Sequence, residues 1–525
     1  MLYIVSIVLF CLAVVVLMFA DNDRAVDLGK GKQAIIDLIY SLATGLLVTS
    51  DFDLCPFNGK YYGGDSSVFI YIARMMHKGK VPYRDMFDHK GSWLYFIEYV
   101  GEFLGDTGIW ILELLACAIT VFFMLKISRL LSKKVFVPYL TAFASIYLFG
   151  FYLCLDGNLT EFWALPFTLS SLYIIFRFFR KKEYSPLSIV YLGFAFGVVF
   201  FIRCNLVSPW AFFVPVIIIY LIKLKRSREI IKCILLFTAG VALALCPVLI
   251  YHGVTGSFQD LYKDYWLYNI SYVKVKGGSY YGILSFGLYA KYFIIGWIAV
   301  IVASVVHRRS RFMHCNTLFL LATFILSLVS GRDYEHYFIS CIPCFVVPVT
   351  LFLDILLTKK LLSDIKDQLT KIIYMVPVLL LALVLGWRMV TVFDIESKAG
   401  YYDGPVVTYV KENTSPDDDV IYFFGNGLFY ICSDRYTDQK FFYQFPLTYN
   451  KDLYYEFIED LKTDTPDMLV FLNDNSSKEG EVPEEDWSLY NSYVTYKLRQ
   501  DINELMTERG YILDQKGSFF AYKKG

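Results

Sequence analysis

The sequence predicts a polytopic α-helical membrane protein, of about 11–12 transmembrane helices, followed by a small extracytoplasmic α/β domain. Three observations carry that prediction. The 525 residues are 56% hydrophobic with a mean hydropathy of +0.48, above the roughly 45–50% apolar content of ordinary globular domains. Apolar runs of spanning length recur along the first three quarters of the chain. The connections between them alternate between strongly basic and basic-poor.

The first run, Leu2 to Ala20, has neither a basic start nor a small-residue cleavage site, and is expected to be an uncleaved span. Further runs lie near 34–50, 108–127, 135–154, 160–177, 186–202, 207–222, 230–251, 282–306, 313–330, 337–357 and 371–393. Basic connections occupy 129–134, 177–183, 223–229, 307–311 and 358–371. Lys and Arg in short loops favour the cytoplasm, so the alternation places 51–107, the turn at 156–161 and everything after about 394 outside. The predicted domains are a membrane module over 1–398, whose first outer loop is 51–107, and a soluble domain over 399–525.

Within 51–107, Val68, Phe69, Ile72, Met75 and Met76 recur at spacings of three and four, which predicts an amphipathic helix over 66–78. Trp93 to Phe103 is a second short apolar stretch. Neither is long enough to cross, so both are expected to lie in the interface, with Tyr71, Trp93 and Tyr95 at headgroup depth. The tail has another texture, with strand-like runs at 420–424, 468–472 and 519–523 and helical stretches at 451–462 and 488–509. It is long enough to bury a core.

Composition excludes some functions. The 49 basic residues balance 49 acidic ones, so nothing steers the chain toward nucleic acid. Eleven cysteines are scattered, mostly in apolar runs, and read as small hydrophobes. Cys341 and Cys344 have metal-like spacing but no further ligands nearby.

The chemistry concentrates on the predicted outer face. Gly63 to Gly91 carries Asp65, Asp85, Asp88, His89 and Lys90, a density that a connecting loop has no structural need for. Asp65 opens the 66–78 helix and reads equally as a cap or as a general base toward a hydroxyl. Lys90 and His89 suit a phosphate headgroup, although a lysine snorkelling to lipid would look the same. Asp156 and Glu161 bracket a tight turn, LDGNLTE. Its Asn158 heads a formal glycosylation sequon, in a turn too short and membrane-close for one. Arg203 and Asn205 follow an apolar run, where an arginine either pairs with phosphate or caps a helix end. GRDYEHY, at 331–337, adds Tyr334 and His336.

Asp65-x-x-x-Phe69 followed by Gly79-x-Val-Pro-Tyr-Arg-Asp-x-Phe-Asp-His-Lys-Gly91 resembles the first outer loop of bacterial GT-C superfamily glycosyltransferases. These are relatives of the protein O-mannosyltransferases and the lipid A aminoarabinose transferases. DGNLTE, Tyr334–Phe338 and 420–435 are similar to elements of that group, with Ser92 standing where a proline commonly follows Lys-Gly. The resemblance implies a multi-pass protein of the bacterial plasma membrane with interfacial helices in its first outer loop. It also implies an inverting transferase that takes a sugar from a polyprenyl-phosphate donor. Asp65 would be the base, and Asp156 or Glu161 a second acid placing the acceptor or a divalent metal ion. Asp88, His89, Lys90, Arg203, Tyr334 and His336 would bind substrate. The acceptor would be an extracytoplasmic glycan, lipid or protein, with membrane lipids as the other partners; metal dependence stays open. Two rivals share the span count. A lipid or polysaccharide transporter predicts charges at mid-membrane and broken helices, whereas the ionisable residues here sit at span ends. A non-catalytic assembly factor would keep the same fold.

Overall fold

The computed structural model describes residues 29–56, 63–105, 107–150, 153–154, 157–273, 293–328, 334–357, 404–471, 482–484, 487, 490–516 and 519–525, with Phe10 and Val14. The expected spans at 2–20 and 371–393 therefore lie outside the described residues, apart from those two side chains. The chain forms two compact units interleaved in sequence. The first comprises Met1–Lys60, Leu104–Leu249 and Gly282–Phe393; the second comprises Tyr61–Phe103, Ile250–Tyr281 and Asp394–Gly525.

The first unit is helical. Its described helices are α1 (Lys30–Thr49), then, past two helices of the second unit, α4 (Gly108–Leu131), α5 (Val137–Phe143), α6 (Thr160–Lys181), α7 (Pro186–Phe200) and α8 (Ser208–Lys223). The series continues with α9 (Arg228–Thr255), whose last turn belongs to the second unit, α10 (Ile294–Val306), α11 (Arg311–Leu328) and α12 (Ile342–Leu356). Among the described residues, five stretches are long and apolar enough to cross a membrane: Gly31–Thr49, Gly108–Leu131, Thr160–Lys181, Arg228–Thr255 and Glu335–Leu356. The apolar run at 135–154 is not one regular helix: α5 widens into a π-helical turn over Ala144–Leu148, and Leu153 and Cys154 follow in a turn closed on Gly150.

Two helices of this unit touch backbone to backbone. A Cβ on Gly193 of α7 would stand 1.9 Å from the Phe237 carbonyl oxygen, and one on Gly240 of α9 would stand 1.9 Å from that of Val190. One turn on, Gly197 faces Ala244. Small residues four apart on both partners give close contact where lipid supplies no hydrophobic drive. Asp37 of α1 is fully buried and takes an ion pair from Arg129 and hydrogen bonds from Tyr139 (2.9 Å) and Gln33 (3.0 Å).

The second unit joins the first loop to the tail. Its helices α2 (Gly64–His77) and α3 (Ser92–Phe103) confirm both helical stretches of the loop. The tail contributes α13 (Pro405–Asn413), α14 (Gly427–Ser433), α15 (Lys451–Thr463) and α16 (Asn491–Glu508). A four-stranded sheet of order β1-β2-β4-β3 uses Val420–Phe423, Met468–Phe471, Ile512–Lys516 and Phe519–Lys523 for β1 to β4. β1 and β2 are parallel; β2–β4 and β4–β3 are antiparallel. The three apolar strands were legible, while β3, ILDQK, is a largely exposed edge whose polar residues gave no signal.

Tyr71 and Tyr95, expected at headgroup depth, are instead buried in protein. Tyr71 stacks on Phe442 at 4.1 Å and tilts against Tyr430 at 4.9 Å. The reason is that the tail covers α2: residues 66–73 and Met75 are all buried, and α14 lies directly on them. A Cβ on Gly427 would stand 1.9 Å from the Ser67 carbonyl oxygen, so only glycine fits. Gly427→Ala is expected to destabilise this unit by about 1–3 kcal/mol, the usual cost of overpacking. A thermal melt of the purified protein checks it.

Candidate active site

In the second unit, the segment between α2 and α3 is tied at nearly every residue. Tyr83 takes the sparsely allowed left-handed conformation (φ 69°). Its N–H donates to the Met86 carbonyl (2.8 Å), and its hydroxyl donates to the Lys90 carbonyl (2.7 Å). Asp85 accepts from the Val81 N–H (2.8 Å) and pairs with Arg84. Asn269 donates to the His89 carbonyl at 2.8 Å. His252 lies between Ser92 Oγ (2.9 Å) and Ser257 Oγ (2.7 Å). The backbone that presents 88–90 is thereby held from both sides.

Asp88 is 2% exposed, and its two oxygens are engaged by the Tyr95 hydroxyl (2.6 Å), the Tyr443 hydroxyl (2.8 Å) and the His89 N–H (2.7 Å). Burial opposes its ionisation, yet the Lys90 ammonium, His89 and the Tyr95 hydroxyl hold its carboxyl well below the usual range. Such a carboxylate is an anchor. Lys90, 7% exposed, has its ammonium 3.0 Å from His89 Nε2 and 5.9 Å from the centre of the Phe69 ring.

Asp65 is exposed on the first turn of α2. The cap position is Gly63 and no side chain caps the helix, so the capping role is not the one Asp65 takes. Its carboxylate makes no hydrogen bond or ion pair among the described residues. Its charge is felt at Tyr443, whose hydroxyl is pushed up by burial first, then by Asp88, with a smaller contribution from Asp65. Asp65 and Asp88 thus share one tyrosine as neighbour.

The first unit holds a second polar cluster, at the start of α6. Gly157 and Asn158 take successive left-handed conformations (φ 68° and 45°). A Cβ on Gly157 would strike the Phe52 ring at 2.8 Å and the Glu113 carboxylate at 2.9 Å. Asn158 is fully buried, its N–H donating to Glu113 and its side chain accepting from Trp163 Nε1 (2.9 Å); the sequon is inaccessible. Glu161, 2% exposed, accepts from Thr160 (2.8 Å) and is ion-paired with Arg203, whose guanidinium lies 4.2 Å above the Tyr337 ring. His336 stacks on Tyr334 (5.6 Å) and meets Tyr337 edge-on (4.9 Å). Glu161, Arg203 and Tyr337 therefore do converge. Asp156, Arg332 and Asp333 lie outside the described residues. Among the described residues no three His, Cys, Asp or Glu side chains gather as a metal set. Glu161 is already neutralised by a guanidinium, a donor poorly suited to a divalent cation.

Sequence reasoning missed Glu113, Tyr443, Asn269, His252 and the ion pair of Asp264 with Lys440. Tyr443 meets a residue 355 positions away, and no local pattern announces that. Asp264, fully buried, stands 3.0 Å from Lys440, which also reaches Glu456 at 3.3 Å. Burial pushes its carboxyl up to about 6, against the pull of Lys440. The folded chain therefore keeps a proton that the unfolded chain releases, and stability gained from Asp264 grows as pH falls from about 6 toward 4. Relative to Asp264→Asn, wild type is expected to gain about 1 kcal/mol between pH 7 and pH 5. Paired thermal melts in detergent check it.

The comparisons agree on the architecture. No curated protein matches the sequence significantly. Among solved structures, apo ArnT from Cupriavidus metallidurans superposes with a TM-score of 0.59 at 11% identity, covering 94% of this chain and 98% of that one. ArnT from the same organism bound to undecaprenyl phosphate gives a TM-score of 0.57 at 12% identity, with the same coverage. At that identity the likeness establishes the fold: an integral membrane protein of GT-C type with a small C-terminal sheet region. The family model for the competence-induced Ccs4 N-terminal domain matches residues 30–390. The chain belongs to the competence-induced Ccs4 family.

Proposed function

We propose that this protein is an inverting glycosyltransferase that moves a sugar from a polyprenyl-phosphate donor to an acceptor hydroxyl on the outer face of the membrane. The observation that carries the reading is an exposed carboxylate, Asp65, unpaired among the described residues, in the same unit as a buried, anchored Asp88–His89–Lys90 segment, in a chain with the fold of ArnT. ArnT is a lipid A aminoarabinose transferase, and one of its structures holds undecaprenyl phosphate.

In this reading Asp65 takes the proton of the acceptor hydroxyl as its oxygen bonds to the anomeric carbon. The carbon–oxygen bond to phosphate breaks on the opposite face, and polyprenyl phosphate leaves with the electron pair. Lys90 and His89 contact that phosphate; Asp88 keeps them in place. Arg203, Tyr334 and His336 bind substrate, with Glu161 holding the guanidinium, and Asp156 is a second acid. Basic connections on one side put the tail and the chemistry on the other, away from nucleotide sugars. The test gives the purified protein a radiolabelled polyprenyl-phosphate sugar with a membrane-extract acceptor. Label is expected in the acceptor; none with any polyprenyl-phosphate sugar overturns the reading.

A further inference from the structure

A cavity of the first unit lies at the opposite helix ends from Glu161. It encloses about 780 Å³, within the roughly 300–1,000 Å³ of small-molecule sites. Its walls come from the last turns of α4, α6 and α8, from the start of α11 and from Leu351 of α12. Phe176, Phe179 and Phe312 make much of the wall, and Tyr220 brings a polar tip to an apolar body. Three basic side chains line the same cavity: Arg180, Lys223 and His307. Arg180 and Lys223 are exposed, and neither makes a side-chain ion pair or hydrogen bond among the described residues.

Each of these facts has an ordinary explanation alone. Cations suit the last turn of a helix, where the dipole is negative, and Lys and Arg crowd the basic-side loops of membrane proteins. Neither explains why the cations border an apolar hollow. Elsewhere in this unit two arginines meet buried carboxylates: Arg129 has Asp37, and Arg203 has Glu161. Here a positive rim without a carboxylate surrounds a space that, left empty, would forfeit the dispersion contacts of its aromatic walls. An occupant that satisfies both has an anionic head and a hydrocarbon body.

We propose that this cavity is a binding site for an anionic glycerophospholipid of the leaflet on the basic-loop side. An acyl chain lies along Phe176, Phe179 and Phe312, and the phosphate is held by Arg180 and Lys223, with His307 beside them. Basic pockets between membrane helices take anionic headgroups on general electrostatic grounds. The site is separate from the proposed chemistry and does not depend on it.

Native mass spectrometry of the detergent-purified full chain tests the proposal, with added phosphatidylglycerol, cardiolipin or phosphatidylcholine. One anionic lipid is expected to be retained under activation that strips phosphatidylcholine. At roughly fivefold in affinity per basic residue near a headgroup, Arg180→Gln combined with Lys223→Gln weakens retention more than tenfold. Both positions are exposed, so this variant keeps the fold. Leu131→Trp, which intrudes on the apolar wall of the cavity and leaves the charges intact, also weakens retention. Equal retention of phosphatidylcholine, wild-type retention by the charge variant, or displacement of the lipid by inorganic phosphate alone would each overturn it.

Discussion

Asp65→Asn is expected to lower sugar transfer by roughly 10²–10⁴-fold, the range a positioned general base contributes, while leaving the protein folded. The amide keeps the size of the carboxylate and removes only its basicity. Nothing structural hangs on the charge: Asp65 is exposed, caps no helix and makes no pair among the described residues. The variant loses the interaction with the N-terminal dipole of α2, about 0.3–1 kcal/mol. Donor binding should be nearly unchanged, because Lys90, His89 and Asp88 are untouched, so the loss falls on kcat rather than on KM. Radiolabel transfer by wild type and variant side by side, with donor titrated, reads both constants. Undiminished transfer by the variant would assign the base elsewhere, even if the protein proves to be a transferase.

Arg203→Met is expected to destabilise the first unit by about 3–5 kcal/mol, because it leaves Glu161 charged, buried and without its partner. The accompanying Glu161→Gln substitution should restore most of that stability, since breaking a buried pair costs far more than deleting it. The double variant then separates two roles that a single substitution confounds. If Arg203 meets the donor phosphate, the refolded double variant still transfers poorly and has a raised KM for donor. If the pair only braces the DGNLTE turn, transfer returns with stability. Thermal melts and donor titrations of the three proteins distinguish these outcomes.

The fold was legible wherever one-dimensional pattern suffices. The spacing of Val68, Phe69, Ile72, Met75 and Met76 predicted the helix seen over Gly64–His77. Apolar length predicted α4 and α6, which the structure extends to Leu131 and Lys181 through residues too polar to count as membrane. Partnership was not legible. The α2 periodicity was read as one face toward lipid, whereas the tail covers it, because a helix packed on both faces still shows its stronger stripe. The close approach of α7 and α9 was not read either: GFAFG, Gly193 to Gly197, and its counterpart on α9 became apparent only once the two backbones were seen to touch. Within 63–91, sequence reasoning did not separate the surroundings of the two carboxylates. Only burial and the two tyrosine hydroxyls distinguish Asp88, an anchor, from Asp65, an open carboxylate.

The cover of the tail over α2 bears on how the protein is made. The Tyr71 hydroxyl donates to the carbonyl of Thr437, 366 residues later. At translation rates of about 5–20 residues per second, α2 waits roughly 20–70 s after synthesis for the partner that buries it. Throughout that interval a helix destined to have Phe69, Ile70, Tyr71 and Ile72 shielded presents them to whatever is adjacent. Chaperone or membrane must shelter it in the meantime, and a ribosome that stops before Gly427 leaves a nascent chain whose first loop has no finished state to reach.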